Sequence, residues 1–248
     1  TSVAPSLVSS IQNGVNVNGN NEGGVKTRLM INAVGKLVSS SAAIAGPENS
    51  VDESTASSRS TALMANLSNA LSVTLQAHNP TELLDTGLGS DAGAVISSII
   101  QRVIRNSNGV DPAPTAGLES EDCQALNSAM NLTDGAFLRH IGSALAPGEP
   151  PFVYRDEVLD AIASNAFFDG DGGDGAKIQA AGVSAELSPR SNGDGLQRQT
   201  SVFTLQTISF SAASDRARVL EQCRPTMPPA NGVASALGSD MVSLKSTS

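Results

Sequence analysis

Tryptophan is absent from the 248 residues, tyrosine occurs once, at Tyr154, and aromatic residues together make up 3% of the chain. The hydrophobic 40% is therefore aliphatic, and a core must be assembled from Ala, Val, Leu and Ile. The same scarcity removes the usual stacking surfaces for sugars. Cations are few as well: 15 Lys and Arg against 24 Asp and Glu leave a net charge of −9. A chain of this sign is repelled by phosphate backbones and anionic lipid, which argues against nucleic acid and membrane surfaces as partners. No run of about 18 apolar residues occurs and no charged-then-apolar leader opens the chain, so neither a direct membrane insertion nor a targeting peptide is displayed. The first residue is Thr1 and not Met, from which a processed or excised piece of a longer precursor is expected.

Cysteine is nearly missing too. Cys123 and Cys223 lack the close spacing of a zinc knuckle or a redox CxxC motif. They either remain separate thiols or pair, and closing a loop of about 100 residues stabilises a fold by up to roughly 4.7 kcal/mol in the chain-entropy account. Two N-glycosylation sequons are present, Asn66-Leu67-Ser68 and Asn131-Leu132-Thr133, meaningful only in a secretory pathway. Lysine occurs only at Lys26, Lys36, Lys177 and Lys245, amid many Ser, Thr, Gly and Asn, a balance that points outside the cell.

Along the chain, residues 1–24 read as an edge segment and loop, rich in Asn-Gly and Gly-Gly. A helical subdomain is expected over 25–146. Leu29, Ala33, Val34, Leu37 and Val38 recur at helical spacing. Leu63, Leu67, Ala70, Leu71 and Thr74 then mark a helix over about 57–77 that leaves Asn66 toward solvent. Asn79-Pro80-Thr81-Glu82 is a helix start, with Asn as cap, Pro at the first position and Glu where the macrodipole favours it. Val95, Ile96, Ile99, Ile100, Val103 and Ile104 give a wide apolar face, expected at the centre of this half. Two weaker helices are expected around 123–130 and 136–145.

The prolines of Ala146-Pro147-Gly148-Glu149-Pro150-Pro151 mark a boundary, after which 147–224 reads as a β-rich, sandwich-like subdomain. Val183, Ala185 and Leu187 alternate as a strand does. In the run 200–210, Phe203 and Leu205 share a face, and Ile208 with Phe210 implies a one-residue slip. One intervening helix is expected over 156–163, and residues 225–248 read as an extended tail. The fold class is α+β, helical first and β-rich second.

The residues carrying potential chemistry do not converge. Gly170-Asp171-Gly172-Gly173-Asp174-Gly175 satisfies GxGxxG, yet Asp169, Asp171 and Asp174 would set like charge against a pyrophosphate. The same aspartates offer oxygen to calcium, but the twelfth residue from Asp169 is Ala180 where an EF-hand needs Glu, and a solvated turn is the better reading. His78 and His140, the only histidines, sit near helix ends where an imidazole caps carbonyls. No G-x-S-x-G elbow accompanies them, and dispersed carboxylates remain the one enzymatic route that spacing cannot reveal. No cofactor and no catalytic residue are assigned.

The order Arg59…Leu63-Met64-Ala65-Asn66-Leu67-Ser68-Asn69-Ala70-Leu71, His78-Asn79-Pro80-Thr81-Glu82-Leu83, Ala94-Val95-Ile96-Ser97-Ser98-Ile99-Ile100, Pro147-Gly148-Glu149-Pro150 and Ser201-Val202-Phe203-Thr204-Leu205-Gln206 resembles receptor-for-egg-jelly and GAIN-type ectodomain modules of polycystin-like and algal or protist surface proteins. The resemblance covers roughly residues 25–210. It implies an extracellular, helical-then-β-sandwich part of a large surface protein. Neither histidine precedes Leu and Ser or Thr, so the self-cleavage of GAIN modules is not implied, and the paired cysteines beside that cleavage site are missing. The expected function is a non-enzymatic structural or adhesion module at the cell surface. It would carry N-glycans at Asn66 and Asn131, join Cys123 to Cys223, and take the protein subunits of a surface assembly as partners. An exported pseudopilin-like or minor pilus subunit lacking its N-terminal helix is the alternative, for which Pro150 to Glu157 and the terminal β-run would serve.

Overall fold

A computed structural model describes residues 22–44, 53–85, 87–107, 121–168, 176–180, 183–187, 199–209, 234–237 and 240–247. The Asp169–Asp174 loop, Phe210 and Cys223 lie outside the described residues, as do residues 1–21 of the expected edge segment.

Helix α1 (Glu22–Ile44) buries Thr27, Ile31, Val34, Val38 and Ser41, one residue per turn on a single stripe. The stripe is rotated from the expected one: Leu29 is 62% exposed and Ala33 also faces out. The reason is a close crossing with a later helix, where a Cβ on Gly35 would lie 3.2 Å from Val95 Cγ2, so the face carrying Gly35 goes inward. Helix α2 (Glu53–Gln76) buries Met64, Leu67, Ala70, Leu71, Thr74 and Leu75 and exposes Asn66 and Asn69, as its periodicity requires. Helix α3 (Pro80–Asp85) starts on Asn79, whose Oδ1 accepts the Thr81 N–H at 3.1 Å. Gly87, at φ +73°, then turns the chain into α4 (Leu88–Ser107). The expected wide face of α4, from Val95 to Ile104, is buried at the centre of the helical layer, together with Ala92.

The two weaker helices are one rod. Helix α5 (Glu121–Asn131) passes through a π-helical segment (Leu132–Leu138) into α6 (Arg139–Ala144) with no break in helical dihedrals. A π turn holds one more residue than an α turn, which rotates the face downstream and keeps Leu132, Ala136, Phe137, Leu138 and Ile141 all inward.

Beyond the prolines the chain forms strands. A five-stranded antiparallel sheet runs in the order β1-β2-β5-β7-β6, from β1 (Phe152–Arg155), β2 (Leu159–Phe168), β5 (Gln199–Ser209), β6 (Ala234–Leu237) and β7 (Asp240–Thr247). β3 (Ala176–Ala180) and β4 (Val183–Leu187) form a separate two-stranded hairpin. Three expectations are corrected here. The segment 156–163 is not a helix but the β1–β2 turn and the start of β2; Val158, Leu159 and Ile162 fit helical spacing while Leu159, Ala161 and Ala163 fit strand alternation, and pairing with β5 along all ten residues of β2 decides the matter. The tail is not a free extension, since within it β7 pairs with β5 from Val202↔Thr247 to Ser209↔Asp240 and β6 pairs with β7. There is no slip in β5, whose register with β2 is unbroken to Leu159↔Ile208; Ile208 lies on the other face from Phe203 and Leu205 by ordinary alternation.

The α+β class holds, but a sandwich does not. Among the described residues the helices cover one face of the five-stranded sheet, and the remaining strands make only the two-stranded β3–β4 hairpin, whose β3 meets β2 and β5. Leu159, Ala161 and Ala163 of β2 and Ile208 of β5 join one hydrophobic cluster with the helices, so a single core crosses the proline boundary.

Three glycines set how closely the layers meet. On α4, a Cβ at Gly89 would lie 3.2 Å from the Phe152 ring, and one at Gly93 would lie 2.4 Å from the Tyr154 ring. On α6, a Cβ at Gly142 would lie 2.4 Å from Val202 Cγ1. Gly89 and Gly93 are one turn apart and form a shallow trough for the two aromatic residues of β1. Phe152 also meets Phe137 edge to face, with ring centroids 5.7 Å apart.

Gly93→Ala is expected to destabilise by roughly 1–3 kcal/mol, a fall in Tm of about 2–12 °C for a chain of this size. Gly135→Ala, where nothing lies within 4 Å of an added Cβ, is expected to leave Tm unchanged or raise it. Calorimetry of both variants checks this; equal losses would remove the packing explanation.

Candidate functional site

The two histidines, 62 residues apart in sequence, meet where four helical elements converge. Helix α2 ends at Gln76, and the turn that follows places His78 among α1, α3 and α6. Thr27 of α1 lies with its Oγ1 3.0 Å from His78 Nδ1. Glu82, in the first turn of α3, brings Oε2 to 3.2 Å from His78 Nε2. From α6, the His140 Nε2–H donates to the His78 carbonyl at 2.7 Å, which is carbonyl capping of the expected kind. His78 itself makes no such cap; its ring joins helices instead. The neutral tautomer protonated on Nε2 lets Nδ1 accept from the Thr27 hydroxyl, while Nε2 lies 3.2 Å from Glu82 Oε2 outside hydrogen-bond alignment.

Hydroxyl, imidazole and carboxylate in a row have the membership of a hydrolytic triad but not its access. Thr27 is 7% exposed within a helix, so the hydroxyl meets protein and not solvent. The arrangement orients helices. Burial lowers the pKa of His78 below the ordinary 6.5, Glu82 opposes this, and His140 adds to it.

A second buried polar group lies on the π segment. Asp134, 3% exposed, accepts a hydrogen bond from the Thr204 hydroxyl of β5, and Gln206 of the same strand face donates to the Met130 carbonyl at 3.4 Å. Both stitch the π segment and the end of α5 to the sheet. At the β1–β2 turn, Asp156 accepts from the Tyr154 hydroxyl at 2.6 Å, from the Val158 and Leu159 amides at 2.8 Å each, and from Ser97 of α4. Burial pushes the Asp156 pKa up, the hydrogen bonds from Ser97, Tyr154, Leu159 and Val158 outweigh it, and the net shift is downward. Burial, then the bond to Asp156, pushes the Tyr154 hydroxyl upward.

The expected modification sites fall on helices. Asn66 is exposed in the middle of α2, and Asn131 is exposed as the last residue of α5, a helix that packs along α2. Cys123 is buried on α5, and no free thiol is found among the described residues; its expected partner Cys223 is outside them. Among the described residues no three His, Cys, Asp or Glu side chains gather as metal ligands, and no helix is long and apolar enough to cross a membrane. The spacing of His78 and Glu82 was visible in the sequence, whereas the pairings Thr27–His78 and Asp134–Thr204 span 51 and 70 residues and carry no local signal. Compared with known protein families and with curated proteins, the chain matches none.

The unfolded chain takes up a proton at His78 near pH 6.5 that the folded chain resists. Stability therefore falls as pH drops below 6.5, levels off once the lower folded-state pKa is passed, and is indifferent to this group above pH 6.5. Urea unfolding at pH 7.5 and 5.5 is expected to show a larger acid loss for the wild type than for His78→Gln; equal losses would mean that His78 is not the group resisting protonation.

Proposed function

We propose that this chain is a non-enzymatic extracellular module of a cell-surface or appendage assembly, glycosylated at Asn66 and Asn131, with Cys123 joined to Cys223 and protein subunits as partners. The observation that carries this reading is the pair of sequon asparagines, both exposed on the surface of the helical layer. Support comes also from the histidines, each held by bonds that join helices and so drawn into architecture. The reading accords with the resemblance to receptor-for-egg-jelly and GAIN-type modules in its helix-then-strand order. The module acts by presenting a shaped, acidic and sugar-bearing surface.

Mass analysis of native material is expected to show glycan-derived mass at both asparagines, and alkylation by iodoacetamide only after reduction at Cys123 and Cys223. Bare asparagines with a disulfide would favour the exported pilus-type subunit. Bare asparagines with two free thiols would sink the extracellular reading altogether.

A further inference from the structure

We infer that Asn66 and Asn131 accept glycan only before the helical layer closes, so that folding itself ends the period in which this module can be modified; the inference rests on the extracellular reading above. A transferase must hold the asparagine amide and the hydroxyl two residues on in a single site. On a helix, residues i and i+2 point about 200° apart and do not share a face. The structure has this arrangement at both sequons: Asn66 and Asn131 face outward, while Ser68 and Thr133 are each 0% exposed.

The hydroxyls are also engaged. Ser68 Oγ donates to the Met64 carbonyl at 2.9 Å, and Thr133 Oγ1 donates to the Ala129 carbonyl at 2.8 Å. To present Asn66 together with Ser68, the turn 64–68 must unwind and withdraw Met64 and Leu67 from the core. To present Asn131 together with Thr133, the junction of α5 and the π segment must open, taking Leu132 with it. Both openings withdraw core residues of the helical layer, which a folded chain does rarely. Once attached, a sugar at either exposed amide projects to solvent and leaves the packing intact.

The transfer is a displacement at C1 of an oligosaccharide carried on a lipid pyrophosphate. The asparagine amide nitrogen forms the new bond to C1, the bond from C1 to the phosphate oxygen breaks with its electron pair leaving on the lipid pyrophosphate, and one amide proton passes to a base of the transferase. Nothing in the folded chain assists this step; its role is to withhold the acceptor.

The test compares three acceptors. The chain behind a cleavable signal peptide is translated into microsomes. The purified folded chain, and synthetic peptides covering 60–74 and 125–139, are each incubated with solubilised oligosaccharyltransferase and a pyrophosphate-linked chitobiosyl lipid. Modification of the nascent chain and both peptides is expected, with the folded chain slower by more than about tenfold. Leu71→Ala, which empties a fully buried position on α2, is expected to be modified faster at Asn66 than the folded wild type. Folded chain modified at the rate of the peptides overturns the inference, as does refusal of both peptides and the nascent chain. Bare, intracellular native material alongside the expected contrast would instead sink the extracellular reading and leave the inference intact.

Discussion

The distance between one helical layer and one face of an antiparallel sheet is the constraint on which the described fold depends. Gly89 and Gly93 on α4 and Gly142 on α6 stand where any side chain would strike Phe152, Tyr154 or Val202. Of the six phenylalanines and one tyrosine in the chain, Phe137, Phe152 and Tyr154 are concentrated at this seam. A chain with little aromatic volume thus places three of its rings where small residues opposite them let the layers approach closely. The β1–β2 hairpin is fixed by the same contact, because Tyr154 reaches Asp156 from the trough and Asp156 gathers the turn amides.

The second constraint is polarity inside the helices. A sequence rich in Ser and Thr buries many hydroxyls, and those of Ser68, Thr74 and Thr133 are satisfied by the carbonyl one turn back, at 2.8–2.9 Å. This local solution asks nothing of distant elements and lets small polar residues fill a helix–helix seam. Asp134 and His78 cannot be satisfied that way and bind across the fold, to Thr204 and to Thr27. They therefore tie the π segment to the sheet and α1 to the turn after α2, making the placement of these elements mutually dependent.

Much of the helical layer was legible because periodicity over a long segment is read many times. The α2 stripe and the wide face of α4 each repeat the same spacing over several turns, and the Asn79-Pro80 start has its own local chemistry. Legibility failed where two patterns coincide. In α1 two adjacent stripes were both apolar enough, and the choice went to the one containing Gly35, a matter of what crosses it. In 156–163 the apolar residues fit a helical face (Val158, Leu159, Ile162) and a strand face (Leu159, Ala161, Ala163) alike, and in α5 the extra residue of the π segment broke a phase that the chain itself keeps unbroken. The sequons were readable as motifs, but the motif does not say that Ser68 and Thr133 point inward.

The amino-acid order alone determined an aliphatic core, an acidic surface, the α+β class and the proline-marked passage from helices to strands, since each follows from composition or from neighbours close along the chain. The tertiary structure decided that five of the described strands form one sheet against the helices, that β7 leaves the supposed tail to pair with β5, and that His78 and Asp134 find partners 51 and 70 residues away. The physical reason is range: local propensity acts over a few residues, whereas strand pairing and the satisfaction of buried polar groups are settled only when distant segments share the same space.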